Sequence, residues 1–584
     1  MIGVLLVLLT WAVILLALVA MGYGVISVGT EKQPWWISIR ESLWWGLAIA
    51  ILSILAINLK WPMRGSAAAI AMGVVLLLLA LLSGYSVVRG RAEPTEVGKK
   101  APRVVLALIL ALGVAVVFFA IAALGPVTNY DSGLYHLGAV MYSGDYSTIP
   151  GLANLYFPFG YNNSLFPTAA FLGNGPWAGE GFRLINGLLI VMMLFDLGIR
   201  WLRGARTVGA YVLLVATVIT LVPMVALSDY WVTSPTADSS LLILTMVCIA
   251  YMADAAWTPI RRGRNGATAF IIGVVCVSMR PLMAVFLVGI VVVLGVLYLR
   301  SRTNRTRPAS YAILAAAALI ATLLLVVQSA RDYVLSGWLQ FPLSLHTFSV
   351  AWLSVDPVTN RAATLGNARD PENLWAAASG WQWIPAWLAR LPTQWETYLF
   401  VVIAISAIVM LVLTRRRTPI RARSLALLLI PSAATCVVWF LASPPAYRFI
   451  WGPLFALAVL PLGWALHLQS RLVKRQLRRI DFAATALIIA AVSILVVVGY
   501  TFVARIDLAR DAQPHTWALG PVSVQINVAP IEVAQTTVQR LPTGLSVRMP
   551  VDSDQCWDVY PLCTAQLAPT VGMRSESIQD GFLP

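Results

Sequence analysis

The chain is punctuated by apolar runs, each about as long as a lipid bilayer is thick. They lie near 2–25, 42–59, 67–88, 104–125, 184–199, 207–228, 239–256, 267–279, 282–299, 309–328, 398–414, 424–442, 451–468 and 482–504. A hydrocarbon core of ~30 Å needs about 20 such residues, wound as a helix so that every backbone polar group is satisfied within the segment. The two runs flanking Met279-Arg280-Pro281 are short, and Pro281 breaks a continuous helix. Residues 267–299 are therefore either a tight hairpin or one kinked helix. The expected fold is an all-α polytopic membrane protein with 12–14 transmembrane helices. Composition agrees, with 59% hydrophobic and 11% charged residues against ~25% charged in soluble domains. The first run lacks a basic leader and is too long for a signal peptide, so it reads as a retained span.

A net charge of +16 would point to nucleic acid in a soluble protein. Here 27 of the 41 Lys and Arg fall in seven short loops, 26–41, 89–103, 200–206, 261–264, 300–307, 415–423 and 471–479. With fourteen spans all seven share one side, which the positive-inside rule makes cytoplasmic. The split is then +20 inside and −4 outside, so the basic excess is an orientation device and nucleic-acid binding loses its support. Both termini, the segments 126–183 and 329–397, and the tail 505–584 are expected outside. No cytoplasmic loop has room for a nucleotide-binding domain, and neither GxxxxGK[ST] nor GxGxxG occurs. Four histidines without HExxH spacing give no metal site, and no cofactor is expected.

Six regions follow. Residues 1–125 hold four helices, 126–183 form a first large outside loop with interfacial helices, and 184–328 hold the central helices. Residues 329–397 are a Trp- and Pro-rich outside loop, 398–504 the last helices, and 505–584 a small β-rich tail. In that tail, alternation around Val522–Val528 and Gly544–Met549 predicts short strands. Cys556 and Cys563, seven apart with Pro561 between, read as a local disulfide in an oxidising compartment, the alternative being two free thiols.

Chemistry concentrates in the 126–183 loop, through Asn129-Tyr130-Asp131-Ser132-Gly133-Leu134-Tyr135-His136 and on to Tyr161-Asn162-Asn163-Ser164. A carboxylate among aromatic and amide side chains suits a sugar, whose C–H faces aromatics cover and whose hydroxyls amides and acids bind. Equally, Asp131 or Ser132 caps a helix beginning at Leu134, with the tyrosines as an interfacial belt. On a regular helix Asp131 and His136 stand about 140° apart, sharing a face only if Asp131 precedes the helix. Asp238 opens another span, as a cap or as a second acid facing a cavity. Arg280, Arg331 and Arg448 stand apart from the cytoplasmic clusters. They either snorkel to headgroups or bind phosphate through a bidentate guanidinium, and Arg331 has Asp332 as a neighbour to pair with. Arg448, after the Pro444-Pro445 turn, is the strongest phosphate candidate. The tryptophans of 329–397 read as interfacial anchors or as the walls of an acceptor or lipid-tail groove.

The pattern resembles the GT-C superfamily of integral-membrane glycosyltransferases, close to a group of large bacterial membrane proteins. The resemblance rests on Tyr130–His136, Ser336-Gly337 with Phe341-Pro342, Pro444–Arg448, and the Cys556/Cys563 tail ending in Gly581-Phe582. GT-C enzymes carry an acid in their first large outside loop and use a polyprenyl-phosphate sugar donor. The resemblance therefore implies a bacterial cytoplasmic-membrane enzyme moving sugar to a cell-envelope glycan or lipid acceptor. Asp131 is its general base, with Asp238 as a candidate second acid. Arg448, with Arg280 or Arg331, neutralises the lipid phosphate; Tyr135, His136 and Asn162 are expected to bind substrate. A transporter, a lipid flippase, or a polysaccharide polymerase or ligase of another superfamily is the alternative.

Overall fold

Long uncharged runs of Leu, Val, Ile and Ala have no cheaper conformation in lipid than a helix, and helices dominate the molecule. A computed structural model describes residues 2–27, 33–88, 92–93, 102–225, 231–258, 261–300, 308–343, 345–354, 357–415, 422–476, 513–519 and 522–584. Helices α1 (Ile2–Ile26), α2 (Trp35–Asn58), α3 (Ser66–Val88) and α4 (Pro102–Ala122) lead into the first large loop. That loop carries α5 (Leu137–Asp145), α6 (Leu152–Leu155) and α7 (Leu165–Leu172). Then follow α8 (Ile185–Leu202), α9 (Val208–Val225), α10 (Ala237–Trp257), α11 (Arg262–Met279), α12 (Met283–Leu299) and α13 (Pro308–Ser336). The Trp-rich loop contains α14 (Pro357–Arg369), α15 (Leu374–Ala377) and α16 (Ile384–Arg390), before α17 (Trp395–Arg415), α18 (Ala422–Ala442) and α19 (Trp451–Gln476).

Thirteen of the fourteen apolar runs are thus helices, and the run 482–504 lies outside the described residues. Nine helices among the described residues are long and apolar enough to cross a membrane. Their burial separates two roles. The apolar window of α10 is 94% buried and that of α8 is 89% buried, whereas α1 and α3 bury only 22% and 11%. Leu5, Leu9, Val13 and Leu16 on α1, and Leu77, Leu78 and Leu81 on α3, lie exposed. Apolar surface on that scale suits lipid and not water, which is compatible with a multi-pass membrane protein.

The Arg280-Pro281 break resolves as a tight hairpin. Gly266 packs against Leu294 and Gly273 against Ile290, and Arg262 Nη1 donates to Leu297 O at 3.1 Å, so α11 and α12 run antiparallel.

The tail is a set of two-stranded antiparallel ribbons: Gln513–Leu519 with Val522–Val528, Thr536–Arg540 with Ser546–Pro550, and Gly572–Met573 with Phe582–Leu583. Alternation sends Ile526 and Val547 inward. The Cys556–Cys563 disulfide is formed. The tail lies along the first large loop and the end of the run before it: Ala529 N donates to Leu124 O at 2.9 Å, Leu562 N to the Tyr142 hydroxyl at 3.0 Å, and Phe582 N to Pro150 O at 2.9 Å. Gly581, at φ +99°, meets Pro150 where a Cβ would stand.

Candidate functional site

Helical winding in the first large loop begins at Tyr130, but Ser132–His136 adopts the wider π turn, closed by the Leu137 amide on Ser132 O. A π turn bonds residues five apart and recurs at functional sites. It returns Asp131 and His136 to one side, although a regular helix would separate them. Asp131 makes no capping bond, so the cap reading fails for its side chain. The turn is held from two directions. Ser132 Oγ lies 2.7 Å from Ser234 Oγ, which sits 3.4 Å from His136 Nδ1. On the other side Gly133 O accepts the Cys556 and Trp557 amides, both at 2.9 Å, and Gln555 Nε2 donates to Tyr130 O at 2.8 Å. The disulfide loop therefore grips the residues on either side of Asp131.

Asp131 reaches across to Arg448, whose Nη1 donates to Oδ2 at 2.6 Å. Arg448 sits in the short helical turn Tyr447–Ile450 that opens α19. Beside this pair, Asp238 and Arg280 form a second. The cap of α10 is Thr236, whose hydroxyl accepts from Asp238 N at 3.2 Å. The Asp238 carboxylate is free of capping and takes the arginine. Arg280 Nη1 also donates to Phe449 O at 3.1 Å. Both guanidiniums stack on the Phe449 ring, Arg280 at 4.6 Å and Arg448 at 5.2 Å from its centroid. Neither arginine snorkels free; the two acids and two arginines form one neutral quartet.

Tyr135 packs edge-on against His136, Tyr161 and Phe166 beside the quartet. Burial alone would raise the Asp131 carboxyl, but Arg448 above all, then His136 and, more weakly, Arg280 overcome it and hold the group below the usual carboxylate range. Burial pushes His136 down to about 4, leaving a neutral imidazole at pH 7. Burial, reinforced by Asp131, pushes the Tyr135 phenol up. The resting site is thus two carboxylates, two guanidiniums and a neutral imidazole.

Arg448 and Phe449 line a cavity of about 520 Å³ between the Trp-rich loop and the turn before α19. Its walls include Trp231, Trp387, Trp395, Trp451, Arg390, Gln394 and Glu396. Within the Trp-rich loop Trp375 and Trp381 stand exposed, while Trp387 lines the cavity. Glu396 went unnoticed in the sequence, though an acid opening an apolar span is a visible signal.

Asn162 and Arg331 belong to a neighbouring buried network. Arg331 donates to Asn162 Oδ1 at 3.1 Å, Asn58 Oδ1 at 2.5 Å and Thr148 Oγ1 at 2.7 Å. Asn162 Nδ2 donates to Gln328 O at 2.7 Å. The expected Arg331–Asp332 pair does not form. Asp332 instead accepts from Gln340 Nε2 at 3.1 Å and Phe341 N at 3.4 Å. This network ties α2, the first loop and α13 together and makes no contact with the quartet's carboxylates.

A second ionic cluster lies at the opposite end of the bundle. Asp196 pairs with Arg200 at 2.6 Å and Arg40 at 3.5 Å, and accepts from Trp44 Nε1 and Tyr251 Oη, each at 2.8 Å. Arg200 also pairs with Asp254, and Arg264 with Glu41. Among the described residues, no group of three His, Cys, Asp or Glu is placed to hold a metal ion.

A family model described as "Domain of unknown function (DUF8201)" matches residues 4–455. The chain belongs to the DUF8201 family. The DUF8201 match takes in Asp131, Asp238, Arg280, Glu396 and Arg448 and ends ahead of the β-ribbon tail. No curated protein and no solved structure matches the chain.

Proposed function

We propose that this DUF8201 protein is a membrane glycosyltransferase of GT-C type. It moves a sugar from a polyprenyl-phosphate donor to a cell-envelope glycan or lipid acceptor on the extracytoplasmic face, with inversion. The observation that carries the reading is the acid–arginine quartet set against an aromatic-walled cavity. Two guanidiniums stacked on one ring provide adjacent positive charge for a phosphate, and the carboxylates that neutralise them at rest can be displaced by it.

When the lipid phosphate takes Arg448 and Arg280, Asp131 loses its cationic partner and becomes a stronger base. The acceptor hydroxyl attacks the anomeric carbon, its proton passing to the Asp131 carboxylate. The new C–O bond forms as the bond from that carbon to the phosphate oxygen breaks. The electron pair leaves with the polyprenyl phosphate, whose charge the two arginines hold. At rest Asp238 positions Arg280 for this exchange, and neutral His136, bonded to Ser234, supports the turn that presents Asp131. The charge cluster at the far end of the bundle pairs its acids with its arginines and lies buried, which gives little support to a transporter reading.

The test is Asp131→Asn in proteoliposomes supplied with candidate polyprenyl-phosphate sugars. Loss of a general base lowers transfer by about 10²–10⁴-fold, with folding retained. Full transfer by the variant would remove the base assignment.

A further inference from the structure

We infer that Glu396 is a specificity residue: its carboxylate accepts a hydrogen bond from a hydroxyl of a saccharide held in the tryptophan-lined cavity beside Arg448. The inference rests on the glycosyl-transfer reading and assigns this cavity to the acceptor. Glu396 stands in the first turn of α17, is buried, and lines the cavity. One of its oxygens, Oε1, accepts from Trp451 Nε1 at 2.9 Å. The other, Oε2, has no hydrogen-bond partner.

A helix N-terminus favours an acid, but that attraction leaves Oε2 unbonded. An unsatisfied buried polar atom costs about 1–3 kcal/mol, more when charged, and such atoms in native proteins call for an explanation. A ligand that brings its own O–H into the cavity removes the deficit. Trp451 holds the carboxylate by Oε1 and is in turn packed between Trp231 at 5.0 Å and Trp395 at 5.4 Å; Oε2 is covered at rest, and the saccharide O–H reaches it by displacing part of the wall over it. Indole faces cover the C–H surface of a sugar ring, while Asn367 and Gln394 add amides for further hydroxyls. A volume of about 520 Å³ lies within the ~300–1,000 Å³ typical of small-molecule sites. A saccharide between Glu396 and Arg448 sits next to Asp131 through the Arg448 pair, where an acceptor must lie.

The test is calorimetric binding of a panel of methyl glycosides of hexoses, pentoses and 2-acetamido sugars. The protein is the full chain in phosphatidylglycerol nanodiscs. Wild type is expected to bind at least one member saturably. Glu396→Gln, which keeps the shape and the Trp451 contact, should bind it at least ~10-fold more weakly, the loss of one charge-assisted bond. Trp387→Leu, which leaves Glu396 and Trp451 untouched, should also weaken binding, guarding against a fold defect in the first variant. The inference is overturned if no glycoside binds wild type, or if either variant binds like wild type. Binding needs no transfer: an Asp131→Asn enzyme that still transfers, alongside a Glu396→Gln protein that no longer binds, would remove the base assignment and leave this inference standing.

Discussion

Gly133→Ala isolates the grip of the tail on Asp131, because two well-defined effects oppose each other there. Gly133 lies inside a helical turn, where alanine ordinarily gains about 0.5–1 kcal/mol. A Cβ at this position, however, would stand 2.6 Å from Trp557 Cε2, 2.7 Å from Cδ2 and 2.9 Å from Gln555 Nε2. Carbon contacts are optimal near 3.5–4.0 Å, so about 1 Å must be found. Trp557 cannot simply swing away: it is buried, its amide and that of Cys556 bond Gly133 O, and Cys556 is tied to Cys563. Overpacking costs about 1–3 kcal/mol, which outweighs the propensity gain, so a net loss of about 1–2 kcal/mol is expected. The same displacement moves Asp131, two residues away, and a 1 Å misplacement can cost ~10²-fold in rate. The assay is thermal unfolding with sugar transfer, in wild-type and Trp557→Leu backgrounds. With the indole gone, Gly133→Ala should become neutral or stabilising, a reversal of sign that a double-mutant cycle reads directly. An equal penalty in both backgrounds, or none in wild type, would refute the grip.

Two further outcomes are expected. Asp196→Ala strands Arg200, Trp44 Nε1 and the Tyr251 hydroxyl without their shared acceptor; breaking a buried pair costs about 3–5 kcal/mol, while Asp196→Asn should lose less, as compared by denaturation midpoints. Folding lowers the His136 pKa from 6.5 to about 4, so the unfolded chain binds more protons between these values. Stability should therefore be complete above pH 6.5 and fall as pH drops towards 4, on the order of a few kcal/mol for a shift of this size. Asp131, held below the ordinary carboxyl value of 3.8, adds a slope of the same sign below about pH 5, where the unfolded carboxyl begins to protonate, so the His136 contribution is read between about pH 5 and 6.5. A pH–stability curve of His136→Asn as steep as that of wild type would place the titration elsewhere.

What the sequence displays is whatever depends on neighbours along the chain. Apolar length is local, and thirteen runs are helices where it marks them. The Cys556–Cys563 spacing and the alternation over Val522–Val528 are local as well, and both features are present in the tail. Arg448 and Asp131 are each conspicuous for being charged where neighbours are not, but their pairing spans 317 residues and no periodicity encodes it. The π turn was illegible for a different reason. Helical arithmetic assumes 3.6 residues per turn, and the closure on Ser132 O is sustained by contacts from Ser234 and Trp557 that only the folded chain supplies. Arg331 was misread because sequence adjacency suggested Asp332, whereas neutral partners from α2 and the first loop outcompete it. For Asp238 the cap alternative fails, since Thr236, two residues earlier, offers the same chemistry and takes that place.

Charge counting by loop also hid a distinction that bears on function. Arg40, Arg200 and Arg264 were counted among the orienting charges, yet they are internal, paired with Glu41, Asp196 and Asp254. Both ends of the bundle therefore hold balanced acid–arginine clusters. They differ in access to a ligand. At the far end the guanidiniums of Arg40, Arg200 and Arg264 are 5%, 0% and 10% exposed, and removing a carboxylate there leaves a charge that nothing outside can reach. In the quartet, Arg448 is 34% and Arg280 21% exposed. A partly hydrated guanidinium can trade its carboxylate for an incoming anion without ever being bare, so the desolvation penalty that locks the far cluster is relaxed here. That difference in exposure supports placing the proposed phosphate exchange at the cavity cluster.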